Sequence, residues 1–405
     1  MADYYGIWNA RYMWVMQQGV INYRFKLELL DQWERSYAEI VSDVSDDVHY
    51  SININKEQGM RRTCTCTFID PTGKYLPSIN NPFWYNKKFK LYTGVADGGD
   101  TYWFPQGIFI CNNASAERHM VTINGVDKYG FLDGTLNVHM MQETYKVEVG
   151  TKLGELVRHL LMLEIGNGMP IDPIEPLIDG QLEQATTITE IQCDPGRYLG
   201  DILTEVASMF GADIYYDVNG RLNVRRIFND DVPFYYIYRG AWWHFNDMHE
   251  GYIQPNVNYE MDGVNYIFVS TDNTEGEVYS WTAVNNAPDC PIAVSKVGYR
   301  RDKDNPINYI PLGDTTYVDD PTEKCRQYAE YLLFQKSCPT LAVSFSAPML
   351  PHLDVGEIVT ITDSYFGYDN ESFLIQAITS NGIDAMSISV VNIKWLPSDT
   401  YKGTL

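Results

Sequence analysis

The chain is 405 residues long, with 45% hydrophobic and 20% charged residues, so it is too long for one ordinary core and too apolar for an intrinsically disordered protein. Fifty-three acidic residues face 30 basic ones, a net charge of -23 that repels phosphate and excludes a role in gripping DNA or RNA. Aromatic residues reach 14%, with 30 Tyr, a composition that strands and contact surfaces both favour.

Residues 1–20 carry Asp3 and Arg11 and lack an unbroken apolar core, so no signal peptide is expected. No apolar run is long enough to cross a bilayer, so no membrane-spanning segment is expected either. Residues 1–149 read as strands. Tyr23–Leu29, Val48–Ile54 and Met120–Val126 alternate in polarity as half-buried strands do. Thr63–Phe68 alternates as well, which puts Cys64, Cys66 and Phe68 on one face and three threonines on the other. Seven cysteines cannot fully pair, and these two read as buried free thiols made in a reducing cytoplasm. Asp70-Pro71-Thr72-Gly73 and Asp97-Gly98-Gly99-Asp100 are turns.

The texture changes near Gly150. Residues 151–165 carry Leu153, Leu156, Val157, Leu160, Leu161 and Leu163 at helical spacing. After a Pro-rich connector, a second helix is expected with Asp194 as cap, Pro195 in its first turn and Gly211 at its end. Its buried stripe is Leu199, Ile202, Leu203, Val206, Met209 and Phe210. Ala212–Tyr216 and Arg221–Val224 read as strands around Asn219-Gly220, a hairpin signal. Strands resume after about residue 255, interrupted by one helix near 320–337. Asp320 would cap it, Glu323 complete a capping box, and Cys325, Tyr328, Ala329, Leu332 and Leu333 form its apolar face. Leu341–Ser346, Glu357–Thr362 and Ser387–Val391 close the chain as strands. The expected fold is mainly β with an α+β insert: β-barrel-like domains over 1–149 and 241–405 flank a small α/β domain over 150–240.

No catalytic, cofactor-binding or metal residue is assigned. Phosphate-loop, dinucleotide and nucleophile-elbow patterns are absent. Cys64 and Cys66 lack a second ligand pair. His244 and His249, with Glu250, are wrongly spaced for one helix turn and read with Trp242 and Trp243 as aromatic packing at a domain junction. The acidic pairs Asp46/Asp47, Asp230/Asp231 and Asp319/Asp320 read as solvated turns, and Asp262, Asp272, Asp302 and Asp304 do not follow calcium-loop spacing. Trp84, Tyr85, Trp103, Trp242 and Trp243 are candidates for stacking sugar, although core or subunit contact is the preferred reading because interfaces enrich Trp and Tyr.

The order of several segments carries a resemblance. Gly59-Met60-Arg61-Arg62-Thr63-Cys64 leads into a strand, followed by Pro105-Gln106-Gly107-Ile108-Phe109-Ile110 and by Asp127-Lys128 before Leu132-Asp133-Gly134. Later come Leu199-Gly200-Asp201-Ile202 and Leu353-Asp354-Val355-Gly356-Glu357-Ile358-Val359. This succession resembles the baseplate hub or tail-tip hub family of long-tailed bacteriophages, from about residue 20 to the C-terminus. Members carry Gly-Asp-x-Val near the end, where this chain has Glu357. The resemblance implies a homotrimer whose two barrels per chain form a ring of six quasi-equivalent units between a sixfold tail tube and a threefold tip. No repeat between the two β regions is visible in the sequence, so their equivalence is implied by the resemblance alone. Implied partners are a distal tail or tail-tube protein, the C-terminus of the tape-measure protein, and tip, fibre or receptor-binding proteins, with DNA passing an acidic lumen without specific binding. Because the chain stops soon after the second β region, wall-degrading activity is expected on a separate subunit. The expected role is a non-enzymatic virion component without cofactor, assembled in the host cytoplasm; the alternative is a receptor- or carbohydrate-binding protein of the tail tip.

Overall fold

The computed structural model describes residues 10–392 apart from 17, 19, 46, 79, 81–82, 137–142, 167, 188–189, 211, 227–240, 248–250, 261, 273–277, 289, 304–306, 309–320, 338–339 and 383–384. Helix α1 (Ala10–Met16) precedes β1 (Asn22–Leu30), β2 (Ser36–Asp43), β3 (His49–Asn55), β4 (Arg62–Ile69), β5 (Lys88–Asp97), β6 (Asp100–Glu117) and β7 (Met120–Asp127). The middle of the chain holds β8 (Tyr145–Val147), α2 (Leu153–Leu161), β9 (Glu164–Gly166), β10 (Met169–Pro170), β11 (Leu177–Ile178), α3 (Gly180–Glu183), β12 (Ile191–Cys193), α4 (Leu199–Phe210), β13 (Ala212–Tyr216) and β14 (Leu222–Arg226). Then follow β15 (Ala241–Asn246), β16 (Ile253–Glu260), β17 (Tyr266–Asp272), β18 (Val278–Val284), α5 (Val294–Val297), β19 (Ile307–Asn308), α6 (Pro321–Lys336), β20 (Thr340–Ala347), β21 (Ile358–Asp363), β22 (Tyr368–Ser380) and β23 (Met386–Asn392).

The protein is mainly β. Among the described residues, thirteen strands form one sheet in two parts. The N-terminal part runs β3-β4-β7-β6-β5-β1-β2, the C-terminal part runs β16-β20-β23-β22-β21-β15, and pairing of β22 with β3 joins them. The strand order is therefore the same twice over six positions. The sixth differs in direction, since β1 is antiparallel to β5 whereas β15 is parallel to β21.

The repeat extends to single residues. β6 bulges against β7 between Cys111 and Asn113, and β22 bulges against β23 between Ile375 and Ala377. Beside each bulge the same bond forms, from Cys111 N to Lys87 O and from Ile375 N to Glu357 O, both 2.9 Å. One residue before each acceptor the backbone is left-handed, at Asn86 (φ 51) and Gly356 (φ 82). Asp127 Oδ2 accepts from Arg62 N at 3.0 Å, and at the matching place Asn392 Oδ1 accepts from Leu341 N at 2.9 Å. This register sets Phe109-Ile-Cys-Asn-Asn-Ala-Ser-Ala116 on Phe373-Leu-Ile-Gln-Ala-Ile-Thr-Ser380. Core volume is traded between the copies. A Cβ on Gly125 would come within 2.7 Å of the Phe89 ring, while the equivalent positions hold Val390 and Val359. Such compensated changes keep a core filled.

One apolar core spans both parts, with Phe25, Tyr50, Phe89 and Phe109 from the first and Phe245, Phe345, Phe373 and Ile388 from the second. A second core lies under α2, α4, β13 and β14, and a third joins α6 to β17 and β18. The alternating strands, the turns at 70–73 and 97–100 and the Asn219-Gly220 hairpin form as expected; Gly220 adopts φ 69. Cys64, Cys66 and Phe68 are buried on one face of β4.

Some expectations need correction. The helix expected over 151–165 ends at Leu161, where the chain turns into β9. The helix expected to begin at Pro195 begins at Leu199 instead, because Gly196 (φ 92) turns the chain and Arg197 N closes on Asp194 O. Asp201 Oδ2, not Asp194, accepts the Tyr198 N–H at this end. Gly211 and Asp320 lie outside the described residues, as do the side chains of Val206, Met209, Phe210 and Tyr328. Helix α6 begins at Pro321, and Glu323 pairs with Arg326; the capping box expected of Asp320 and Glu323 lies outside the described residues. This helix packs on the separate sheet β18-β17-β19, so more than a helix is inserted between β16 and β20.

Candidate functional site: a buried ionic junction

The segments that carried the resemblance converge. Arg61 and Arg62 stand where β4 begins, so alternation sends them to opposite sides. Arg61 reaches Asp213 of β13 at 2.5 Å and lies 4.0 Å over the Tyr215 ring. Arg62, 2% exposed in its side chain, places Nη2 2.6 Å from both oxygens of Asp354, just ahead of β21. Its Nη1 donates to Gln106 O at 3.2 Å. Gly107 (φ 148) makes room, since a Cβ there would meet the Phe109 ring at 3.0 Å and Arg62 Cδ at 3.3 Å. Two adjacent arginines thus tie the N-terminal part to the α/β region and to the C-terminal part.

Asp127 and Lys128 form the second half of the junction. Asp127 caps the 3-10 turn Lys128–Phe131 by accepting from Tyr129 N at 2.9 Å, in addition to its bond from Arg62 N. Burial pushes its carboxyl up to about 7, although these backbone donors pull it down. The Lys128 ammonium, 1% exposed, meets Glu34 Oε1 at 2.6 Å, Asp172 Oδ1 at 2.7 Å and Gly220 O at 2.7 Å. Three acceptors match its three protons. Lys88 adds a 2.9 Å contact to Glu34. Burial favours the neutral Glu34 carboxyl, but Lys128 and then Lys88 outweigh it and the group sits below its ordinary value. Burial also lowers Lys88, against the pull of Glu34. Glu34 enters this network from the left-handed tip (φ 63) of the β1–β2 turn. Sequence reasoning missed it, because a charged residue in a polar turn reads as solvated.

A second joint lies nearby. His352 Nδ1 is 2.8 Å from the Tyr12 hydroxyl of α1, and the ring packs on Phe104 and Trp243. Burial lowers its pKa to about 3.

The aromatic candidates do not gather into one platform. Trp84 is buried and donates to Tyr75 O at 2.6 Å; Tyr85 is 81% exposed. Trp103 lines a cleft of about 460 Å3 with Lys90, Tyr92 and Asn219. Trp243 is half-buried, and the Trp242 side chain lies outside the described residues. His244 Nδ1 is 2.8 Å from Thr360 Oγ1, while His249 and Glu250 lie outside the described residues. Asp46, Asp230, Asp231, Asp304, Asp319, Asp320 and the side chain of Asp272 also lie outside them. Asp47 and Asp262 are exposed, and Asp302 is buried against Lys336. Among the described residues no group of three His, Cys, Asp or Glu could hold a metal ion, and no helix is long and apolar enough to cross a membrane.

No family model and no curated protein matches the chain. Solved structures do. A tail protein from Neisseria meningitidis MC58 superimposes with a TM-score of 0.56 at 11% identity, covering 94% of this chain and 99% of that one. The 43 kDa tail protein of prophage MuSo2 from Shewanella oneidensis gives 0.51 at 13% identity, covering 92% and 98%. The half-lidded PdpA-VgrG complex of Francisella gives 0.51 at 9% identity, covering 94% of this chain and 60% of that one. The chain therefore has the mainly-β fold of phage tail proteins, the fold that its ordered motifs implied.

Proposed function

We propose that the chain is the structural hub of a phage tail tip or baseplate. Three copies form a ring between a sixfold tail tube and a threefold tip, with domains over 1–149, 150–240 and 241–405. The observation that carries this reading is the doubled strand order, which gives one chain two equivalent units and a trimer six. The ionic junction supports it, since a ring that transmits load between unlike neighbours needs its regions held in fixed relation. The fold shared with tail proteins supports it too. In this role the chain is a virion component that does no covalent chemistry. A distal tail or tube protein and the tape-measure C-terminus would bind on one side, tip or fibre proteins on the other. The net charge of -23 keeps an exiting polyanion from sticking to the lumen. The mass of the full chain in solution tests the reading: three copies are expected, and a monomer in an assembled particle refutes it. A ring with its acidic excess entirely on the outside would refute the acidic lumen.

The cleft beside Trp103 favours a second reading, a carbohydrate-binding tip protein. However, Lys26 Nζ already sits 4.2 Å over Tyr92 and 5.5 Å from the Trp103 centroid, which occupies much of the stacking surface. Glycan binding by the purified chain would revive it.

A further inference from the structure

Among the described residues, the two parts of the sheet meet along one seam. Residues 377–380 of β22 extend beyond the end of β21, and β3 fills the vacated side, setting Ala377 opposite Asn55 and Ser380 opposite Ile52. Lys56 N donates to Gln376 O at 2.9 Å, and Thr379 Oγ1 donates to Asn53 Oδ1 at 3.3 Å. Ile54 and Ile378 face each other across the seam at 1% and 4% exposure.

The repeat makes β6 the counterpart of β22 and β16 the counterpart of β3. Residues 113–116 of β6 likewise extend beyond the end of β5, where no described strand lies against them. β16 pairs with β20 on one side and with no described strand on the other. We propose that these two edges are the intermolecular seam: β6 of one copy pairs antiparallel with β16 of the next. The register is that of the internal seam, with Ala114 opposite Tyr259, Ser115 opposite Asn258 and Ala116 opposite Val257.

Three features fit this pairing. Tyr259 is 51% exposed, whereas its counterpart Ile54 is buried; set against Ala114, it replaces an Ile–Ile contact by a large–small one, as Phe89 with Gly125 stands for Val359 with Val390. Ser115 and Asn258 restore a hydroxyl and an amide where Thr379 and Asn53 stand. In an acidic chain, residues 110–116 and 253–259 contain no charged side chain, so neither edge repels the other. The joined edges differ, so the contact is head-to-tail, and in a closed ring it would leave neither edge open. The seam rests on the ring reading for its number of copies.

Disulfide trapping tests it. The Lys56–Gln376 bond fixes the alternation of the ladder, which makes Ser115/Asn258 a non-hydrogen-bonded pair with close side chains. The six described cysteines are free and buried, so none of them competes in the crosslinking. The full chain carrying Ser115→Cys and Asn258→Cys is expected to give covalent dimers and trimers under mild oxidation, and either single variant none. Ala116→Pro removes an N–H aimed at the open edge and spares the β6–β7 ladder. It is expected to yield a folded monomer, with the far-UV circular dichroism of the parent chain. An oligomer by mass whose double variant does not crosslink, or one that survives Ala116→Pro, overturns the seam and leaves the ring standing. A wild-type chain that is monomeric overturns both.

Discussion

The two parts of the sheet share a strand order, a bulge and a backbone-capping bond, yet they differ in charge. Positions 62, 88 and 127 hold Arg, Lys and Asp, and the matching 341, 358 and 392 hold Leu, Ile and Asn. The fold of either part evidently does not need those charges. Arg62 faces Asp354 of the other part, while Lys88 shares Glu34 of the β1–β2 turn with Lys128, which reaches on to Asp172. Insertions differ as well. The β3–β4 connection is the turn at 56–61, whereas β17–β19 and α6 lie between β16 and β20. What repeats is the wall, and what varies is how each copy is joined to its surroundings.

That contrast is broken most severely at Lys128. Lys128→Met leaves two buried carboxylates short of a cation and is expected to cost about 3–5 kcal/mol in urea unfolding. The exposed pair Lys146–Glu190 offers the opposite limit: Lys146→Met should cost under about 1 kcal/mol. A loss at Lys128 no larger than at Lys146 would mean the junction holds nothing together. Arg62→Leu copies the residue of the other part and strands Asp354, for an expected loss of about 3 kcal/mol. Arg62→Leu with Asp354→Leu should recover most of it, to within about 1 kcal/mol, because an apolar pair is what the second copy tolerates at position 341. No recovery would show that Arg62 also acts through its bond to Gln106 O.

Half of this comparison was legible in the sequence. Alternation exposed β1, β3, β4, β7, β20 and β23, because each has one dry face, and β21 through its alternation of residue type, although both its faces are buried. The repeat was not visible, because its signature lies in hydrogen-bond register. Phe109–Ala116 and Phe373–Ser380 agree in residue class at six of eight positions and in identity at one, and nothing in that likeness marks a shared bulge. Helix α1 was overlooked although Tyr12, Val15 and Met16 sit at helical spacing and are buried. Within the junction, Arg61, Arg62, Asp127, Lys128 and Asp354 were legible as parts of the ordered segments. Glu34 and Asp172 were not, since only tertiary packing turns a polar turn and a Pro-rich connector into the floor of a buried network.

His352 sharpens the contrast through pH, because it locks α1 and Phe104 onto the segment before β21. Burial lowers its pKa to about 3, so the folded state holds it neutral. An unfolded chain binds its proton near pH 6.5, so this contribution is whole above that value and declines as pH falls toward 3. Stability should therefore drop by roughly 1.4 kcal/mol per pH unit below about 6, from this group alone. His352→Phe should flatten that slope in unfolding measured from pH 7 to 5. An unchanged slope would place the acid sensitivity elsewhere.

The smallest effect tests the repeat itself. Asp127 and Asn392 make the same bond to the first strand residue of β4 and the matching position of β20, but Asp127 also caps the 3-10 turn. Asn392→Ala should cost about 1 kcal/mol, the net worth of one hydrogen bond, and Asp127→Ala about 2 kcal/mol for two. The pH dependence runs opposite to that of His352. With its carboxyl raised to about 7, Asp127 contributes most below its unfolded value and loses that contribution as pH rises toward 7. Asp127→Asn, the residue used by the second copy, should remove that decline while keeping the bond from Arg62 N. If Asp127→Asn behaves like Asp127→Ala instead, the cap on Tyr129 is what position 127 was shaped for, and the likeness to Asn392 is confined to backbone geometry.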